Sequence, residues 1–210
     1  MCGRYALPEE PDELLQGVLD SLNRRPLKAP LRTSGDVHPS EAAPVLAPTR
    51  RGGAAPFAMR WGYVLPDGRR IINARSETAA GKPLFRDGLR QRRCVIPAAR
   101  YYEWDRKGSR ARYAIHRPDG ALMGLAGLYR QAEGGPEFVV LTRAPSPSVA
   151  WLHDRMPVLL PTALWTDWLR SDCDPDRMLA AAWTDLACEL SGNQQLRMQL
   201  DEPPIEYEEV

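Results

Sequence analysis

Four polar clusters interrupt otherwise apolar runs, and each holds side chains able to do chemistry. The first is Met1-Cys2-Gly3-Arg4 at the start of the chain. A small residue at position 2 favours removal of the initiator Met. Removal leaves Cys2 with a thiol and a free α-amine on adjacent carbons. The amine titrates near pH ~8 and the thiol near ~8.5, so both nucleophiles are partly available at neutral pH. Such a 1,2-aminothiol captures aldehydes. The amine condenses to an imine, and the thiol closes on the imine carbon to give a five-membered thiazolidine. Taken alone, Cys2 is only the second residue of a terminus of the kind that frays.

The second cluster, Asn73-Ala74-Arg75-Ser76-Glu77-Thr78, follows Ile71-Ile72. Asn73 and Ser76 can anchor a turn through side-chain to backbone bonds, or orient a substrate, with Arg75 on a phosphate. The third is Glu103 within Tyr101-Tyr102-Glu103-Trp104. A carboxylate among aromatics is desolvated, which raises its pKa toward the range of a general acid–base. Strand alternation alone favours another arrangement, with Tyr102 and Trp104 inward and Tyr101 and Glu103 toward solvent. The fourth is His153-Asp154-Arg155-Met156-Pro157, after Trp151-Leu152. His153 can shuttle a proton near neutral pH or simply cap a helix end. His38, in a polar loop, and His116, ending a strand beside Arg117, have no comparable setting.

These groups must be held by the surrounding elements. The chain has 210 residues and is 43% hydrophobic, enough for one full core. No apolar run reaches membrane-spanning length and no signal peptide precedes Cys2, so a cytoplasmic, monomeric protein is expected. Cys2, Cys94, Cys173 and Cys188 are scattered without a C-x-x-C pair, which argues against zinc and a disulfide framework. Cys94, Cys173 and Cys188 read as buried small hydrophobes. No metal or cofactor is expected.

The formal net charge of +1 hides an asymmetry. Residues 50–112 hold 14 Arg and 2 Lys against 3 Asp and 2 Glu, an excess of +11. Such a block suits a polyanion-binding face, or a surface that pairs with the acidic flanks on folding.

Leu14, Leu15, Val18, Leu19 and Leu22 predict an amphipathic helix within Glu9–Leu22. Strands are predicted at 43–47, 57–64, 112–116, 122–129, 138–142 and 157–160, and a buried stretch at 71–73. Residues 33–40 and 48–56 read as turn and loop. Short helices are predicted at 148–152, 162–170 and 175–182, the last capped by Asp174 with Pro175 at its start. The fold class expected is α+β, a single domain with a curled, mostly antiparallel β-sheet core and flanking helices.

Taken in order, the clusters join further motifs: Trp61-Gly62, Arg93-Cys94-Val95-Ile96-Pro97-Ala98, Tyr102-Glu103-Trp104, Leu125-Ala126-Gly127-Leu128 and His153-Asp154-Arg155-Met156-Pro157-Val158. From residue 2 to about 160, this ordered set closely resembles the SRAP family, the SOS-response-associated peptidases that process abasic sites. The resemblance implies one such domain over 1–200 with an acidic tail at 201–210. It implies binding of single-stranded DNA at abasic sites, in the DNA damage response and on the nucleoid. It implies a covalent thiazolidine crosslink through Cys2 after self-removal of Met1, with weak strand-cleaving lyase activity.

By position in the matching motifs, Asn73 would orient the cysteine and the sugar, Glu103 would act as acid–base, and His153 would move a proton and contact the adjacent phosphate. Arg4 and Arg75 would hold backbone phosphates, with Ser76 beside them, and Thr142 would line the site. Many members carry further Trp residues after the Trp61-Gly62 motif, where this chain runs through Pro66-Asp67-Gly68. Base stacking would then fall to Trp61, Tyr63 or an Arg plane. Of the segment around residue 38, only Pro39 transfers, as a wedge between bases. Two other functions stay open from the residues alone: an N-terminal-nucleophile amidohydrolase using Cys2, and a non-covalent single-strand-binding module in which Cys2 is idle.

Overall fold

In a computed structural model of the chain, residues 2–23, 30–105 and 108–191 are described. The expected acidic tail at 201–210 lies outside them. Fifteen strands and five α-helices are present among the described residues.

The chain starts with β1 (Tyr5–Leu7) and α1 (Glu13–Asn23). The apolar stripe of α1 places Leu15, Val18, Leu19 and Leu22 in the core and leaves Leu14 exposed. Burying one such side chain contributes about 1.5–3 kcal/mol, so the stripe and not helix propensity fixes this element. Next come β2 (Gly35–Val37), β3 (Ala42–Pro48) and β4 (Ala54–Trp61). β4 begins inside the segment expected to be loop, because Ala54–Pro56 pair with Leu46–Pro48. A small hairpin follows, β5 (Tyr63–Val64) and β6 (Arg70–Ile71). The strand predicted at 57–64 breaks at Gly62, whose φ is +104°. A Cβ there would lie 2.6 Å from Arg70 Cγ. No side chain fits that bend.

The remaining elements are β7 (Asn73–Arg75), α2 (Ser76–Ala79), α3 (Pro83–Gln91), β8 (Arg93–Ala98), β9 (Arg100–Trp104), β10 (Arg112–His116), β11 (Met123–Ala132), β12 (Gly135–Arg143), β13 (Met156–Pro157) and β14 (Leu159–Leu160). A 3₁₀ turn at Thr162–Leu164 leads into α4 (Trp165–Leu169). Then come α5 (Pro175–Ala180) and β15 (Ala187–Leu190). Asp174 caps α5, accepting from the amides of Asp176 at 3.0 Å and Arg177 at 3.4 Å. The helix expected at 148–152 is not formed. Hydrogen bonds from Val149 and Ala150 to Ser146 O, and from Leu152 and His153 to Val149 O, make successive turns instead.

The pairings β12–β4, β4–β3, β3–β8, β8–β11 and β11–β12 return to their starting strand. Five strands therefore close on themselves, and closure removes the exposed edges of an open sheet. Pairing is antiparallel except where β12 runs parallel to β4 and β7. A second sheet has the order β15-β10-β9-β1-β2. β8 belongs to the closed sheet and β9 to the second, with only Ala99 between them. Ala99 N bonds Ala6 O at 2.8 Å, which fixes this corner. The α+β fold with a curled, mostly antiparallel core is as expected. No helix among the described residues is long and apolar enough to cross a membrane.

Candidate functional site

The four chemistry-bearing residues come from four separate stretches that the two sheets bring together. Cys2 precedes β1 and is fully buried within the main core cluster. β1 lies between β2 and β9, which holds the start of the chain against the strand carrying Glu103. Asn73 opens β7, opposite Val140 of β12, and is also fully buried. Its Nδ2 donates to the carbonyl oxygen of Cys2 at 2.9 Å. A buried amide in an apolar strand is costly unless bonded; this contact satisfies Nδ2, while Oδ1 is buried without a partner among the described residues.

Glu103 is 3% exposed on β9. The strand alternation is opposite to the solvent-facing arrangement weighed from sequence: Tyr101 and Glu103 face inward. Tyr102 forms a small outer cluster with Ala6 and Ala114, against which Trp104 packs. The reason is that the second sheet carries apolar side chains on both faces. His153 Nε2 lies 4.0 Å from Glu103 Oε2, with side chains 9% and 4% exposed. At that burial the pair is screened little by water or salt. Backbone N–H of Arg155 donates to His153 Nδ1 at 3.0 Å. That bond assigns the proton of a neutral ring to Nε2, the nitrogen facing Glu103. Nδ1 also lies 2.8 Å from the exposed carboxylate of Asp154, the partner that a doubly protonated ring would take.

Burial pushes the Cys2 thiol far up, and the Glu103 charge pushes it in the same direction. The sulphur is therefore an S–H group at neutral pH. Tyr5 and Tyr101, both buried, are also raised, first by burial; Cys2 adds to both and Glu103 to Tyr101. Neither tyrosine stood out in the sequence, where strand alternation turned Tyr101 toward solvent.

The other predicted positions divide. Thr142 on β12 is buried, pairs with Arg75 of β7, and accepts from Arg155 Nη2 at 3.2 Å. Arg75 is exposed and Ser76, half-buried, begins α2. Pro39, half-buried, lies in the turn after β2, where Ser40 N bonds Trp61 O at 2.9 Å. Arg4 packs over Trp104, its Cζ 5.2 Å from the ring centroid, and its Nη1 lies 3.7 Å from Asp36. Trp61 is corrected: it is fully buried, stacked on Phe138 at 6.2 Å, and donates to Ile72 O at 3.0 Å. Tyr63 is 1% exposed, so neither ring offers a face to a base.

The basic block is partly structural. Arg93 is 2% exposed and donates to the carbonyls of Leu89, Arg90, Trp168 and Arg170, tying α3 to α4. Arg112 is held by Asp36 at 3.2 Å and lies over Tyr102. Arg50, Arg51, Arg75, Arg86, Arg90, and Arg100 remain exposed. Cys94 is buried as expected, whereas Cys173 and Cys188 are only half-buried.

Sequence reasoning passed over Arg155 as a site residue. Its guanidinium bonds both oxygens of Glu77, at 2.9 and 2.8 Å, besides Thr142. The signal was present: Glu77 directly follows Ser76, and Arg155 lies two residues after His153.

Comparison with known proteins places this arrangement. The chain belongs to the SOS response associated peptidase (SRAP) family, whose model matches residues 1–193. It is 33% identical over 196 residues to "Abasic site processing protein YoqW" of Bacillus subtilis, covering 84% of each chain. It is 25% identical over 180 residues to "Abasic site processing protein YedK" of Escherichia coli, covering 82% of this chain and 81% of that one. A crystal structure of a Bordetella bronchiseptica protein superposes with a TM-score of 0.71 at 23% identity, over 91% of this chain and all of the other. One from Bacteroides thetaiotaomicron gives 0.73 at 17% identity, over 93% and 94%. These two establish the shared fold.

Proposed function

We propose that this protein processes abasic sites in single-stranded DNA and captures them covalently through Cys2 once Met1 is removed. The observation that carries the reading is the placement of Cys2: its carbonyl is held by Asn73, and its thiol feels the charge of Glu103. The names of the relatives agree with the substrate. Phosphate contacts would come from exposed arginines of the basic block, Arg75 first, on the strand next to Thr142.

The chemistry follows from the groups present. The Cys2 amine attacks the aldehyde carbon of the open sugar and gives a carbinolamine. The Glu103–His153 pair supplies the proton with which the hydroxyl departs as water and takes back the proton released from nitrogen, leaving an imine. The Cys2 sulphur then bonds to the imine carbon, and its proton passes to the nitrogen. The product is a thiazolidine, and one water is lost in total. Strand cleavage is the competing fate of the imine. The same pair removes a proton from the neighbouring sugar carbon, and the 3′ phosphate leaves. Self-removal of Met1 belongs to this reading too, as the step that creates the amine.

A denaturing gel with abasic single-stranded DNA tests the proposal. Wild-type protein lacking Met1 is expected to give a heat-stable shifted band that Cys2→Ala does not give. No Cys2-dependent band would overturn it.

A further inference from the structure

Two tryptophans near the outer sheet are covered by cations. Trp104 carries Arg4, and Trp183 carries Arg117 with its Cζ 4.3 Å from the ring centroid. Trp61, Trp165 and Trp168 are buried. Trp151 differs from all of them: it is 50% exposed. Its indole Nε1 donates to Ser148 O at 3.0 Å, so the polar edge is already used and the open part of the ring is carbon. It meets Tyr113 edge-on, centroids 5.0 Å apart and planes at 89°.

The position of this ring is specific. Tyr113 on β10 stands directly opposite Glu103 on β9. Glu103 in turn lies 4.0 Å from His153, two residues beyond Trp151. Trp151 therefore packs against the residue paired with Glu103 and precedes His153 by two residues. A half-exposed indole is costly to leave in water, and its ordering by Tyr113 and Ser148 removes most of its rotamer freedom in advance.

We propose that Trp151 is the platform on which the unpaired base next to the abasic sugar stacks. The inference rests on the reading that the substrate is an abasic single strand. A base is the occupant that fits: it is flat, it adjoins the sugar in the site, and it stacks on an indole without needing its N–H. Stacking would fix the register of the strand so that the sugar, which has no base, falls at Cys2. Trp151 is thus a positioning residue and takes no part in proton transfer. It also supplies the aromatic contact that Trp61 and Tyr63, both buried, cannot offer.

The test uses the full-length protein lacking Met1 and a short oligothymidylate with one unreactive tetrahydrofuran abasic analogue. Binding is read by tryptophan fluorescence. Trp151→Ala is expected to weaken binding by about tenfold, as loss of one stacked base implies, and to remove most of the quench. Trp151→Phe should retain most of both. Replacing the neighbouring thymidine by a second tetrahydrofuran should weaken wild type by a similar factor and leave Trp151→Ala unchanged. Crosslinking to reactive abasic DNA should slow in Trp151→Ala, most at limiting strand, while its pH profile keeps the wild-type shape because no proton moves through the ring. Equal binding by wild type and Trp151→Ala, or equal sensitivity of both to the missing base, would overturn the platform while a Cys2-dependent adduct still stood. If wild type forms no adduct, the functional reading falls and this inference with it.

Discussion

Asn73 Nδ2 donates to Cys2 O across 2.9 Å, joining residues 71 apart in sequence. This bond fixes the backbone that carries both nucleophiles, so it governs where the amine points as well as where the thiol lies. Removing it in Asn73→Ala leaves a buried carbonyl unsatisfied, at a cost of about 1–3 kcal/mol in stability. The crosslinking rate should fall by about 10–100-fold under conditions where the variant is still folded, since small misplacements of reacting groups cost that much. Urea unfolding and single-turnover crosslinking, run on one preparation, check both. A stability loss with an unchanged rate would confine Asn73 to folding.

Glu103 and His153 act as one unit 4.0 Å apart. Glu103→Gln should slow crosslinking near neutral pH by roughly 100-fold, the low end of general acid–base effects, without abolishing it. Glu103→Gln combined with His153→Ala should cost much less than the product of the single effects, because contacting groups are not additive. Rates across a pH series check this, and multiplicative losses would separate the two roles.

The buried thiol makes a prediction about alkaline pH. The folded state keeps Cys2 protonated, whereas an unfolded thiol ionises near its ordinary value of 9.0. Above that value the unfolded chain binds fewer protons than the folded one, so stability declines as pH rises. Below it, this contribution is fully present. Cys2→Ala should therefore lose less stability than wild type between about pH 8 and 10, read from urea midpoints. Parallel losses would mean that the thiol is not buried as protonated S–H in solution.

The Arg155–Glu77 clamp holds the segment after His153 against α2. Its guanidinium bonds hold the Glu77 carboxyl below its ordinary range. A lowered carboxylate stabilises above its unfolded value and loses that contribution as pH falls through the folded one. Wild type should thus exceed Glu77→Gln in stability at neutral pH, with the gap closing toward about pH 3. The gap should be small, because the Glu77 side chain is 49% exposed. Urea midpoints at both pH values decide it, and a gap independent of pH would mean packing, not charge.

Gly62→Ala tests the bend between β4 and β5. Its φ of +104° and the 2.6 Å approach of Arg70 Cγ predict a loss of about 1–3 kcal/mol, seen as a lower thermal midpoint. Unchanged stability would mean that the hairpin can shift around a side chain.

How much of this was legible depended on period and on pairing. The spacing of Leu15, Val18, Leu19 and Leu22, the Asp174-Pro175 cap and most strands followed from local pattern. The helix α3 was overlooked because arginines crowd its sequence, although Phe85 and Leu89 already marked a buried face. Closure of five strands through β12 and β4 was not legible, since no local signal encodes a parallel pair 77 residues apart at Glu137 and Arg60. For the site, chemistry and motif order pointed to Cys2, Asn73, Glu103 and His153. Alternation misled at Glu103, because a sheet apolar on both faces defeats the inside–outside rule. Trp61 misled for a related reason: a tryptophan in a motif says nothing of its burial.

Intact mass of the adduct reports the covalent bond to Cys2 itself. Protein lacking Met1 is incubated with an abasic single strand, without reductant, heated, and weighed. The expected mass is the sum of both chains less one water, absent from Cys2→Ala. A heat-stable adduct that persists in Cys2→Ala, or one that appears only after reduction of an imine, would contradict it.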